Sequence, residues 1–114
     1  MKVLITGGAG FIGSAVINYL QEFNYELFVI DNLSFGNRSF INIDDDHFYN
    51  QDIRDEKALD ETISSINPDW IIHLAAIHFI PYCNQNPIEA TEINIIGTLN
   101  VLNSARKLTN LKND

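Results

Sequence analysis

Near the N-terminus stands Gly7-Gly8-Ala9-Gly10-Phe11-Ile12-Gly13, between a short apolar run and a helical pattern. A strand, a tight glycine turn and a helix N-terminus in that order aim free backbone N–H groups and the positive end of the helix dipole at one point. Such a point is a site for a pyrophosphate. Gly7 can supply the turn, Gly10 lets the backbone approach phosphates with no Cβ between, and Gly13 permits close packing of helix on strand. A glycine-rich turn with no ligand is the plainer alternative, and the strand-turn-helix context speaks against it.

Asp31 is the second chemical signal, 18 residues beyond Gly13 and at the end of a second apolar run. A carboxylate there accepts hydrogen bonds from both ribose hydroxyls of an adenosine and repels a 2′-phosphate, which favours NAD over NADP. The bland alternative is a solvated acid opening a turn, and the spacing from the glycines weighs against it. Other groups point less sharply. His73 closes an apolar strand, where a satisfied core histidine is the common case. His78 and Tyr82 follow the same strand, at the sheet edge where either side chain can face a substrate. Cys83 has no His and Asn or Asp partners of the kind a thiol nucleophile uses. Asp44-Asp45-Asp46 lacks further ligand spacing and reads as solvated loop. No metal site and no catalytic residue is expected within this chain.

These groups are positioned by alternating strand and helix patterns, the signature of a parallel sheet with right-handed crossovers. Val3-Leu4-Ile5 suits a strand covered on both faces. From Phe11 to Phe23, Ile12, Val16 and Leu20, flanked by Ala15 and Phe23, predict one buried helical stripe. Leu27 to Ile30 reads as the second strand, 31–46 as loop with one short helical turn, and His47 to Asn50 as a third strand. Leu59, Thr62, Ile63 and Ile66 repeat at helical spacing up to Asn67-Pro68. Trp70 to Leu74 is the fourth strand. Asn86-Pro87-Ile88-Glu89 then predicts a last helix with Asn86 as N-cap, Pro87 at the first position and Glu89 in a capping box. Ile88, Ile95, Leu99 and Leu102 would form its apolar stripe, running toward Arg106 and Lys107. Gly97 inside it implies close packing.

The chain has 114 residues, 46% apolar and 19% charged, with a net charge of −8. That describes one folded domain, 1–114, able to bury a core without disulfides or structural metal. The acidic balance argues against nucleic acid or an anionic membrane as partner. The single cysteine favours a reducing compartment, and neither a signal segment nor a membrane-length apolar run is read, so a cytoplasmic protein is expected.

Thr6-Gly7-Gly8-Ala9-Gly10-Phe11-Ile12-Gly13 resembles the fingerprint of the extended short-chain dehydrogenase/reductase superfamily, in particular NAD-dependent nucleotide-sugar epimerases and dehydratases of the UDP-glucose 4-epimerase type. Asp31-Asn32-Leu33-Ser34 is similar to that family's ribose-binding segment. Asp52-Ile53-Arg54-Asp55 resembles its adenine-contacting turn, which implies that Asp52 meets the amino group and Ile53 the ring. His73-Leu74-Ala75-Ala76 resembles the motif whose backbone, at Leu74, Ala75 and Ala76, lies along the cofactor toward the nicotinamide ribose. Asn94-Ile95-Ile96-Gly97-Thr98 is similar to the fourth-helix motif, which implies Asn94 near the cofactor.

The resemblance implies a Rossmann-type α/β sheet in strand order 3-2-1-4, incomplete on its C-terminal side, with NAD as cofactor and a nucleotide-sugar as substrate of the whole enzyme. Epimerisation, an isomerase reaction, or dehydration would proceed through transient hydride transfer to NAD. The family's catalytic Tyr with Lys four positions later is missing: none of Tyr19, Tyr25, Tyr49 and Tyr82 has that lysine. The chain is therefore expected to be the truncated N-terminal, cofactor-binding part of a longer enzyme, binding NAD without turnover. The alternative is a non-catalytic NAD-sensing or interaction module. Under both, self-association through the last helix or an open sheet edge is expected. A carbonyl reductase using NADPH is disfavoured by Asp31.

Overall fold

Lys2–Thr6 (β1) and Glu26–Ile30 (β2) bury nearly every residue, as strands covered on both faces must. Leu4, Ile5, Val29 and Ile30 are wholly enclosed. The computed structural model describes residues 1–111, so the last positions of the expected 1–114 domain lie outside it. Phe48–Tyr49 (β3) and Trp70–His73 (β4) complete one parallel sheet in the order β3-β2-β1-β4, the expected Rossmann-type arrangement. Thr6 pairs with Ile30 on one side and with His73 on the other. Three strands therefore end level, and the residues just past them, Gly7, Asp31 and Leu74, emerge side by side at the carboxyl edge.

Alternation along the strands divides the interior into two cores. Leu4, Phe28 and Ile30 face one, with Ile53, Leu59, Ile63, Ile93 and Val101. Val3, Ile5, Leu27 and Val29 face the other, with Ile17 and Ile41.

The first helix, Phe11–Leu20 (α1), is shorter than the predicted 11–23 and is turned by about one residue. Gly13 and Ile17 are its buried positions, while Ile12 is 60% and Phe23 47% exposed. Of the predicted stripe, Leu20 packs half-buried beside Ile17 and Val16 is half-buried, whereas Ile12, Ala15 and Phe23 are exposed, and the stripe is corrected there. The cause is the seating of Gly13 on the glycine turn: a Cβ at Gly13 would lie 2.2 Å from Gly7 O, so that face of the helix must look inward.

Glu56–Ile66 (α2) buries Leu59, Thr62, Ile63 and Ile66 as its spacing predicts. Asp55 caps its start by accepting from Ala58 N, and Asn67 ends it in the left-handed region at φ 48°. The third strand is shorter than 47–50, because His47 belongs to a 3₁₀ turn, Asp45–His47, with its ring stacked on Phe28. A second such turn, Arg38–Phe40, lies in the 31–46 loop. The acidic run is used locally: Asp45 pairs with Arg38 and Asp46 with His47.

The last helix departs furthest from expectation. Ile80–Gln85 (α3) precedes it, and the remainder runs as Pro87–Thr91 (α4), a π-helical segment Glu92–Gly97, and Thr98–Ala105 (α5). Asn86 does not cap with its side chain, which instead donates to Tyr82 O, and Glu89 accepts from the Tyr82 hydroxyl rather than closing a capping box. The predicted stripe is the outer one: Ile88 is 76%, Ile95 55%, Leu99 55% and Leu102 59% exposed. Ala90, Ile93, Gly97, Val101 and Ser104 face inward. The small residues decide this, since a Cβ at Gly97 would meet Ile53 Cδ1 at 2.4 Å. Fourth-strand pairing stops at His73, one residue before the predicted end, and among the described residues β4 pairs only with β1. No described helix is long and apolar enough to cross a membrane.

Candidate functional site

Gly7 takes φ 72°, a conformation that glycine adopts freely, and its amide donates to Ile30 O at 2.8 Å, tying the turn to β2. The turn rests on the segment after β4: a Cβ at Gly7 would stand 2.7 Å from Ala75 N. Gly13 presses on the turn from the helix side. Gly10 differs, because a Cβ there would find only Gly7 O, at 3.4 Å. The remaining side of Gly10 opens into a cleft of about 390 Å³ along the carboxyl edge of the sheet. No side chain caps the N-terminus of α1, so its first-turn amides remain for a ligand.

Most of the predicted site residues line this one cleft. Gly7, Gly10, Phe11, Ile12 and Gly13 form its floor. Asp31, Asn32, Ser34 and Ile53 come from the β2 and β3 side, and Leu74, Ala75 and Ala76 from the β4 side. Asp31 is buried, and its carboxylate accepts from Ala9 N at 2.9 Å and Leu33 N at 2.8 Å. It thereby holds the glycine turn and its own loop together, with a lone pair left on each oxygen. Asn32 Oδ1 accepts from Ser34 N.

Asp52 and Asn94 are not among the lining residues. The Asp52 carboxylate takes a forked set of bonds from the Arg54 guanidinium, which holds its pKa below the usual carboxylate value. Asn94 faces the backbone of Ile77, donating to its carbonyl and accepting from its amide, both at 2.8 Å. It supports the β4-side wall from behind.

Sequence reasoning missed Phe35, Gly36, Phe79 and Glu89, all on the cleft wall. A Cβ at Gly36 would come within 2.6 Å of Ala9 O, and Asn37 N donates to that same oxygen. The loop after β2 is thus locked onto the glycine turn. Phe35 then meets Tyr82 edge to face, centroids 5.0 Å apart, joining segments that follow β2 and β4 across the end of β1. Nothing local to Gly36 names its partner. Tyr82 lies against Phe35 with its hydroxyl on Glu89, which raises its pKa above the ordinary phenol value, the wrong direction for a proton acceptor. His78 lines the cleft. Cys83 is half-buried, its Sγ against Ile77 O. His73 is half-buried and hydrogen-bonded through both ring nitrogens.

These features suit a dinucleotide. A side-chain-free patch at Gly10 faces an uncapped helix start, and a buried carboxylate stands beyond the neighbouring strand. Gln51, also on the wall, keeps a buried Oε1 without a partner among the described residues.

Residues 3–113 match the model of the NAD dependent epimerase/dehydratase family. A putative UDP-glucose 4-epimerase from Methanocaldococcus jannaschii is 44% identical over 105 residues, covering 92% of this chain and 34% of the relative. A probable dTDP-glucose 4,6-dehydratase from Sinorhizobium fredii is 35% identical over 112 residues, covering 94% of this chain and 32% of the relative. Among solved structures, the Thermus thermophilus UDP-glucose 4-epimerase in complex with NAD superposes with a TM-score of 0.86 at 33% identity, covering 94% of this chain and 34% of that one. The chain therefore spans about a third of the length of the relatives it matches.

Proposed function

The chain belongs to the NAD-dependent epimerase/dehydratase family, and from that premise we propose that it holds NAD for an enzyme that epimerises or dehydrates a nucleotide-sugar. Bound NAD supplies a nicotinamide that takes up hydride and returns it. This chain's residues do the holding. The amides at the start of α1, reached over Gly10, bind the pyrophosphate, with Gly7 and Gly13 shaping the turn and Phe11 and Ile12 flanking it. Asp31 accepts from the adenosine ribose, aided by Asn32 and Ser34. Ile53 packs against the adenine, and Asp52 meets its amino group on leaving part of its Arg54 contact. Leu74, Ala75 and Ala76 run beside the nicotinamide ribose, and Asn94 fixes that wall through Ile77.

The observation that carries this reading is the open face of Gly10 at an uncapped helix N-terminus, with Asp31 buried beside it. Calorimetric titration with NAD and with NADP tests it. Saturable binding of NAD, tighter than NADP, is expected; no binding of either cofactor overturns it. Asp31→Ser should narrow the NAD-over-NADP preference by about tenfold, the scale of one charge-assisted hydrogen bond. The ratio of the two affinities is the proper readout, because Asp31 also braces the turn through Ala9 N.

Lacking a Tyr-x-x-x-Lys pair, this chain by itself should bind without turnover; nucleotide-hexose conversion by the 114-residue chain alone would contradict that. Self-association belongs to the same proposal and is supported by the outer face of the last helix, where Ile88, Ile95, Ile96, Leu99 and Leu102 are all exposed. That face also favours the second reading, an NAD-sensing or interaction module that works by assembly. Restoration of turnover on adding a separately made C-terminal piece of a relative would decide for the enzyme.

A further inference from the structure

Thr6 is fully buried at the end of β1, and its hydroxyl oxygen accepts from Leu74 N at 3.1 Å and Ala75 N at 3.2 Å. With both lone pairs taken, its one proton has a single destination: His73 Nδ1, 2.6 Å away. Nδ1 must then be bare and Nε2 must carry the ring proton, which it donates to Thr98 Oγ1 at 3.0 Å. Thr98 in turn donates to Asn94 O at 2.8 Å. Every proton along Thr6, His73, Thr98 and Asn94 points the same way, and no member is free to reverse alone. Leu74 N has a second acceptor in Thr6 O, but Ala75 N has none besides Thr6 Oγ1 among the described residues.

We propose that His73 is a positioning residue for the cofactor cleft, holding the wall at 74–77 only while it is neutral and protonated on Nε2. A proton on Nδ1 would compete with the two amides for the same hydroxyl oxygen and release Ala75 N, directly behind Gly7. The segment is also held at its far end, where Asn94 grips Ile77. One chain of bonds thus links β1, β4 and the helix after Asn86 to the cleft wall. The link to NAD affinity rests on the function proposed above; the link to the wall does not.

The groups facing His73 leave it neutral. From β1 it meets Thr6 and from the last helix Thr98, neither of them titratable near neutrality. Glu92 on that helix is engaged by Arg54 and Glu89 by Tyr82, and His78, further along its own segment, lines the cleft. Burial pushes the imidazole below its ordinary 6.5. The sign follows: below pH 6.5 the unfolded chain gains a proton that the folded ring resists, so folding weakens as pH falls toward the folded value.

The test reads three quantities on the 114-residue chain, wild type and His73→Asn, whose amide oxygen can take the place of bare Nδ1. Nitrogen NMR of the wild type should find Nδ1 unprotonated and Nε2 protonated; the opposite tautomer overturns the proposal. Hydrogen exchange should show Ala75 protected near neutrality and at least about tenfold less protected once His73 titrates, with His73→Asn flat over the same range. Equal protection of wild type at both ends overturns it. NAD affinity should fall with that exchange step in the wild type and stay level in His73→Asn. Should NAD fail to bind at any pH while the tautomer and the exchange step appear as stated, the proposed function falls and the positioning role stands. Where His73→Asn does not fold, the wild-type tautomer and exchange step decide.

Discussion

Valine at position 10 is expected to lower the thermal midpoint by only a few degrees while weakening NAD binding at least about a hundredfold. Gly10 sits at φ −79° and ψ −175°, where any residue is at ease, and a Cβ there meets nothing of the protein closer than 3.4 Å. The cost to folding is that of a poor helix N-cap, about 1 kcal/mol. The cost to binding is of another kind. A branched side chain would stand in the space from which a pyrophosphate reaches the first-turn amides, removing charge-assisted bonds worth about 1.5–3 kcal/mol each. Losing two of them supplies the hundredfold. Thermal circular dichroism and NAD calorimetry on the same sample measure both. A Gly10→Val protein that binds NAD like the wild type would remove the pyrophosphate from this end of α1.

The converse is expected at Gly13, where alanine should lower the midpoint by at least about 10 °C. Its Cβ would lie 2.2 Å from Gly7 O and 2.7 Å from Gly8 Cα. Both are backbone atoms of a turn already tied to β2 and pressed on Ala75, so no rotamer change relieves the contact. Overfilling a core by a methylene typically costs about 1–3 kcal/mol even where side chains can adjust, and total stability is only about 5–15 kcal/mol. NAD binding should weaken as well, because the turn must move. An unchanged midpoint for Gly13→Ala would mean that α1 does not seat on the turn as described. The pair separates two uses of glycine within a few residues, one leaving room for a ligand and the other leaving room for the protein's own backbone.

How much was legible in advance varied with the range over which each feature is decided. The four strands and the inward face of α2 were readable from apolar runs and a clean 3.6 period, whereas the strand order came with the family resemblance. The last helix was not, because it is apolar on two faces and periodicity cannot rank them. Small residues at Ala90, Gly97 and Ser104 chose the inner face by allowing Ile53 and α2 to approach. α1 was misjudged for the same reason, its inner face being selected by Gly13 rather than by its largest side chains.

The glycine turn, Asp31 and the motif after β4 were each specified locally, since a tight turn, a strand end and a helix start are written in neighbouring residues. Their convergence was implied by parallel topology, which sends every strand's carboxyl end to one edge. Packing settled the rest: Asp52 turned onto its near neighbour Arg54, and the more distant pairs set Asn94 gripping Ile77, Gly36 against Ala9 O and His73 between Thr6 and Thr98. Residue type states what a side chain can donate or accept. Only the packed chain brings the competing groups together and determines which offer is taken.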